Sequence, residues 1–192
     1  MNYMGLAKPL LFWLRGYHQG AHGLTHPITG PQPYPTAALE ALWRERRAVL
    51  PWAVALQQYN LLNSHDTPRI RSEVQGNDAL HRLAAIVLLT YPGVPDLFYG
   101  DEIGMVDLPH LGPRGCMVWE EERWDHSLME FHRRLISLRR QSGVLQRGGF
   151  QMLAVEPDAF AYQRHNRQGR IIVVANRSPQ PRPASPLPVA HG

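Results

Sequence analysis

Apolar and polar positions along the chain follow two periods, and the change from one to the other marks its organisation. Up to about Gln141 the regular stretches are helical. Leu6, Leu10, Leu11, Phe12 and Leu14 give a broad apolar face to a helix expected over Gly5 to Gly16, with Pro9 early enough in it to be tolerated. In a second helix, from Ala37 to about Leu50, the residues Leu39, Leu42, Val49 and Leu50 oppose Arg44, Arg46 and Arg47. Thr36 is the expected N-cap of that helix and Pro51 its stop. Trp52 to Gln58 adds a helical turn or two. Asp78 to Thr90 is apolar almost all round, which predicts a helix covered on more than one side. His126 to Gln141 has an acidic entry and an arginine-rich exit that complement the helix dipole. Past Ser142 and Gly143 the period becomes two. Phe150 to Leu153, Ala159 to Gln163 and Arg170 to Asn176 predict antiparallel strands, with turns at Glu156-Pro157-Asp158 and Asn166 to Gly169.

Two short apolar runs in the helical part end in clusters of polar residues. Asn60-Leu61-Leu62-Asn63-Ser64-His65-Asp66-Thr67-Pro68-Arg69 follows a strand expected over Tyr59 to Asn63. Asp96 to Tyr99 is the next expected strand, leading into Gly100-Asp101-Glu102-Ile103-Gly104-Met105. Between them lie a short helical or turn element at Ile70 to Val74 and the apolar helix. Strand, helix, strand with both polar ends on one side is a βαβ unit, which predicts an α/β protein. Parallel barrels carry their chemistry at such strand ends. His65, Asp66, Arg69, Asp101 and Glu102 are therefore the candidates for chemistry.

Composition narrows the classes. The net charge of +4 rests on 20 basic residues, of which only Lys8 is a lysine. They are spread without a long run, which argues against a nucleic-acid arm or a polybasic membrane patch. Cys116 is the single cysteine, so no internal disulfide forms, and its apolar neighbours predict a half-buried packing residue. Met1-Asn2-Tyr3-Met4 lacks a charged start and an apolar core of the signal-peptide kind, and no stretch is long enough to span a membrane, so a cytoplasmic location is expected. His18, His22 and His26 sit in a loop rich in glycine and proline, at spacings that fit no common zinc pattern.

The motif from Asn60 to Arg69 resembles the fourth signature region of the α-amylase superfamily, glycoside hydrolase family 13, in particular its maltodextrin glucosidase, neopullulanase and cyclomaltodextrinase branch. The run from Gly93 to Met105 looks like the eighth-strand segment of the same proteins, and Met117-Val118-Trp119 and the helix ending Leu135 to Arg140 follow in the expected order. The resemblance implies a partial (β/α)8 TIM barrel, about strands six to eight, over residues 1–143. A short, incomplete antiparallel β-domain over 144–178 and a disordered proline-rich tail over 179–192 follow. A complete barrel takes ~250 residues, and the chain has 192.

By the same resemblance Asp66 is the carboxylate that stabilises the transition state and His65 binds a sugar hydroxyl. Arg69 either contacts substrate or orders the loop through a salt bridge with Asp66 or Asp101. Asp101 and Glu102 match a pair that is mostly structural. A retaining glycosidase needs a nucleophile and an acid about 5–5.5 Å apart, and the signature regions that hold them are expected before Met1. The implied function is cleavage of α-1,4-glucosidic bonds in maltodextrins, with this chain inactive alone. The alternative is a non-catalytic remnant or carbohydrate-binding module. The expected partners are a maltodextrin-type oligosaccharide and the missing N-terminal part of the barrel, with no nucleic acid, membrane or cofactor. Calcium in some relatives belongs to loops of the missing region. Two departures from the family pattern stand out: Asn63 replaces a frequent glycine, and Val106-Asp107-Leu108-Pro109-His110 replaces the usual glycine, aspartate and proline of the pocket rim.

Overall fold

A computed structural model of the chain describes residues 1–14, 34–181 and 187–188. The chain opens with one wide helical turn, Tyr3–Ala7, that runs into helix α1 (Lys8–Leu14). Helix α2 (Thr36–Ala48), the short α3 (Trp52–Ala55), strand β1 (Tyr59–Asn60) and the short α4 (Ile70–Glu73) follow. Next come α5 (Asp78–Thr90), strand β2 (Val94–Pro95) and, after a loop, α6 (His126–Gln141) and α7 (Gly143–Arg147). Strands β3 (Gly149–Glu156), β4 (Ala159–Asn166) and β5 (Gly169–Asn176) close the chain as an antiparallel meander. The whole is a mixed α/β structure. None of the helices among the described residues is long and apolar enough to cross a membrane.

Two of the three long helices start where local chemistry tells them to. Asn77 accepts a hydrogen bond from the Leu80 backbone N–H at 3.1 Å and starts α5, and Asp125 does the same for Leu128 at 2.9 Å and starts α6. The all-round apolar character of α5 is explained by its neighbours. Leu80, Leu83, Ala84, Val87 and Leu88 share one core with Leu10, Trp13 and Leu14 of α1, with Leu39 and Trp43 of α2, and with Phe160, Tyr162, Val173 and Ala175 of the meander. Burying each large side chain of that set contributes roughly 1.5–3 kcal/mol. Buried arginines then tie the sheet to the helices. Arg164 donates to the carbonyls of Thr90, Gly148 and Gly149, and Arg177 donates to those of Trp13 and Tyr34 while pairing with Asp158.

Several expectations need correction. β1 and β2 pair in parallel through Tyr59↔Val94 and Asn60↔Pro95, so the second strand lies before Asp96, not over Asp96 to Tyr99, and the first ends at Asn60, not Asn63. Backbone bonds from Val94 to the Gln58 carbonyl and from Asp96 to the Asn60 carbonyl complete the ladder, and beyond it the residues keep no strand partner among the described residues. Thr36 is not an N-cap. Its hydroxyl accepts from the Trp13 indole and donates to the Pro157 carbonyl, both at 2.8 Å, linking α1, α2 and the sheet. Helix α7, capped by the Ser142 hydroxyl, occupies a stretch to which no element was assigned. Cys116 is exposed, not half-buried. The end of the first expected helix and the three histidines at 18, 22 and 26 lie outside the described residues.

Candidate functional site

His65 and Asp66 stand on a tight turn, five and six residues beyond the end of β1, and the turn is locked from within. The Thr67 hydroxyl accepts from the Ser64 backbone N–H at 2.9 Å while the Thr67 N–H donates to the Ser64 carbonyl at 3.2 Å. The Ser64 hydroxyl accepts from the Asp66 N–H at 3.1 Å and bonds the Tyr3 hydroxyl at 2.7 Å. These bonds explain why a polar run forms a defined turn instead of a loose loop: each short side chain satisfies a backbone group that no sheet or helix takes. The result is presentation. His65 and Asp66 are more than half exposed, at 58% and 61%, with the imidazole Nε2 3.3 Å from Asp66 Oδ2. The other Asp66 oxygen accepts from Arg114 at 2.9 Å, an arginine 61% exposed on the loop after Met105.

Arg69 lies below this turn and not on it. Its side chain has 0% exposed surface and pairs with Asp101 at 3.1 Å. It also donates to the Tyr99 carbonyl at 2.6 Å, and its guanidinium lies over the rings of Phe98 and Tyr99. Of the partners weighed for it, Asp101 is the one it reaches. Asn63 donates to the same Asp101 oxygen at 3.3 Å, so the residue that replaces the family's frequent glycine is absorbed into a buried polar cluster. Burial pushes the Asp101 carboxyl up to about 7, against the downward pull of Arg69 and Asn63. Arg69 Nε and Nη2 and the Asn63 carbonyl oxygen are buried and have no hydrogen-bond partner among the described residues. Glu102, on the same short 3-10 turn as Asp101, is half-buried, so the acidic pair is split between two environments.

Arg114 and Asp107 are the site residues that sequence reasoning did not pick out. Asp107 accepts from the Arg69 backbone N–H at 3.0 Å, and its own N–H donates to the Ser72 hydroxyl at 2.8 Å. Nothing local marks either residue, because both partners are more than thirty positions away in the chain. The described residues hold no group of three or more His, Cys, Asp or Glu arranged to take a metal ion. Chemically, the arrangement offers an exposed carboxylate flanked by an imidazole and a guanidinium, all three suited to hydrogen bonds with sugar hydroxyls.

Comparison with known proteins identifies what the chain resembles as a whole. Residues 41–130 match the profile of the alpha amylase catalytic domain. The chain is 37% identical over 178 residues to neopullulanase 2 of Thermoactinomyces vulgaris, covering 92% of this chain and 28% of that protein. It is 40% identical over 120 residues to a cyclomaltodextrinase of Thermoanaerobacter pseudethanolicus, covering 62% of this chain and 21% of the relative. Among solved structures, a debranching enzyme of Nostoc punctiforme soaked with acarbose superposes with a TM-score of 0.79 at 29% identity, over 92% of this chain and 36% of the other. The chain thus spans less than a third of the length of these two curated relatives. With the motif, the order of elements and these likenesses in agreement, the chain belongs to the α-amylase superfamily, glycoside hydrolase family 13.

Proposed function

We propose that the chain is the C-terminal part of an α-glucan hydrolase that cleaves α-1,4-glucosidic bonds of maltodextrins by a retaining mechanism. In this reading it supplies strands six to eight of a (β/α)8 barrel over residues 1–143, with an incomplete β-domain over 144–178 and a tail over 179–192. The observation that carries the proposal is the 37% identity to a neopullulanase along 92% of the chain, joined to a turn that exposes His65 and Asp66 side by side. Asp66 is assigned the stabilisation of the oxocarbenium-like transition state, since negative charge near the flattening ring favours it. His65 is assigned a sugar hydroxyl. Arg69, closed off beneath the turn, is assigned to substrate binding through the turn it orders.

Nucleophile and general acid belong to the part of the barrel that would precede these residues, so this polypeptide alone is expected to be inactive and to need that part as its partner. An α-linked oligosaccharide is the proposed ligand, and the acarbose-soaked structure of the Nostoc relative supports that class. The test is a chimera that joins this chain to the N-terminal remainder of a similar neopullulanase. Hydrolysis of maltodextrin should return, and Asp66→Asn should cut turnover by a factor of ~10³ or more. An active chimera whose Asp66→Asn variant keeps near-parental turnover would overturn the role given to Asp66.

A further inference from the structure

The segment from Ser64 to Pro68 carries the candidate pair, and both of its flanks grip one buried oxygen. Asn63 and Arg69, themselves buried, donate to the same Asp101 carboxylate oxygen at 3.3 and 3.1 Å. The base of the segment is thereby fixed. Pro68 stiffens its exit, because the ring holds φ. What is left to set is the direction of the residues above that base.

Asp66 does not take its direction from packing. Its side chain is more than half exposed, and so are its polar partners, His65 and Arg114. Partners that are themselves exposed hold a side chain loosely. The carboxylate therefore inherits its direction from the backbone of the turn, whose two central residues are His65 and Asp66. One backbone bond closes that turn, from the Thr67 N–H to the Ser64 carbonyl at 3.2 Å, and turns lacking even this bond are common. The Thr67 hydroxyl adds a second closure by accepting from the Ser64 N–H at 2.9 Å. Two bonds between the same two residues make a ring, and the branched Cβ of threonine limits the rotamers that would open it. Within the ring the Ser64 hydroxyl accepts from the Asp66 N–H at 3.1 Å, so the peptide that carries the carboxylate is tied to the residue that Thr67 fixes.

We infer that Thr67 is a positioning residue for the Asp66 carboxylate, acting through the Ser64 N–H and the closed turn and without touching the sugar. The inference rests on the reading of Asp66 given above. A group that stabilises a transition state has to be held within ~0.5 Å of its working place, and a displacement of ~1 Å can cost about a hundredfold in rate. His65 rides on the same turn, so affinity moves with it, but one hydroxyl bond is worth about tenfold at most. Loosening the turn should act on turnover first.

Amide hydrogen exchange on the full chain tests the closure without any sugar. Thr67→Val keeps the shape and removes the acceptor, and it should speed exchange of the Ser64 amide by about fivefold or more while α5 stays protected. Thr67→Ser keeps the hydroxyl and should stay within about threefold of the parent. An unchanged Ser64 amide, an α5 loosened to the same degree, or a serine variant as open as the valine one would each overturn the closure. Steady-state kinetics in the active chimera test the positioning. Thr67→Val should lower kcat at least about tenfold with KM raised less than about threefold, and Thr67→Ser should keep kcat within about threefold of the parent. Parental kcat in Thr67→Val beside a crippled Asp66→Asn would overturn the role of Thr67 and leave that of Asp66 standing. Parental turnover in both variants would sink the two roles together, and a loss confined to KM would refute the positioning.

Discussion

Replacing His81 by leucine should remove about 2 kcal/mol of acid sensitivity between roughly pH 7.5 and pH 5. His81 projects from α5 with 0% exposure, and neither ring nitrogen has a hydrogen-bond partner among the described residues. Its ring lies edge-on to His132 of α6, 5.7 Å between centroids. Burial, helped by the charges of His132, Arg71 and Arg82 and opposed by Asp78, pushes it from 6.5 down to about 3. The sign follows directly. A folded value below the unfolded one means that the unfolded chain binds the proton better, so the contribution is whole above pH 6.5 and drains away as pH falls. A pH of about 5 lies ~1.5 units below the unfolded value, and at ~1.36 kcal/mol per unit the loss is about 2 kcal/mol.

Asp101 works the other way. Its folded value is raised to about 7 by burial, so stability from that group is present at low pH and lost as pH rises. The parental profile is thus a sum of opposed slopes, and only the difference between variant and parent isolates His81. Urea unfolding followed by tryptophan fluorescence at the two pH values supplies it. Leucine also removes two unpartnered polar atoms, so the variant should match or exceed the parent by about 1 kcal/mol at pH 7.5. A variant-minus-parent difference that changes by less than about 0.5 kcal/mol between the two pH values would refute the reasoning.

Two further substitutions probe the ground beneath the site. Arg69→Met leaves Asp101 buried without its cation and should lower stability by about 3 kcal/mol or more, a deficit that widens as pH rises because the unpaired carboxyl resists ionisation. A urea midpoint that gives less than about 1 kcal/mol of loss would count against the cluster's importance. Gly93→Ala would place a Cβ 2.4 Å from Asn60 Nδ2 and 2.6 Å from the Gln58 carbonyl, at φ +128°. It should cost about 2 kcal/mol or more and loosen the β1–β2 pairing, seen as faster exchange of the Val94 and Asp96 amides. Unchanged exchange there would show that the close approach is relieved at small expense.

How much of this was legible beforehand depended on how far each interaction reaches along the chain. Helices α5 and α6 came out over Asp78–Thr90 and His126–Gln141 as read, because each is set by a cap three residues from its partner and by a face repeating every few positions. The meander was equally plain, though its strands run longer than the alternation showed. His65 and Asp66 were proposed from a contiguous motif. Their exposed placement agrees with a ligand-facing role, which the chimera would test.

What the amino-acid order could not settle is where partners are remote. Thr36 satisfied every local rule for an N-cap, yet its hydroxyl serves Trp13 and Pro157. Arg69 had three candidate partners in sequence, and only packing decided for Asp101 and burial. The strand pairing shifted toward Val94 because register is fixed across the sheet and not within a strand. Asp107 carries no local mark, and only the fold brings Ser72 and Arg69 beside it. The sequence by itself determined the long helices, the hairpins and the family motif, all encoded by short-range periodicity and capping. Only the tertiary structure decided which charges are buried and which side chains meet, since desolvation and long-range hydrogen bonds exist only once the chain has closed on itself.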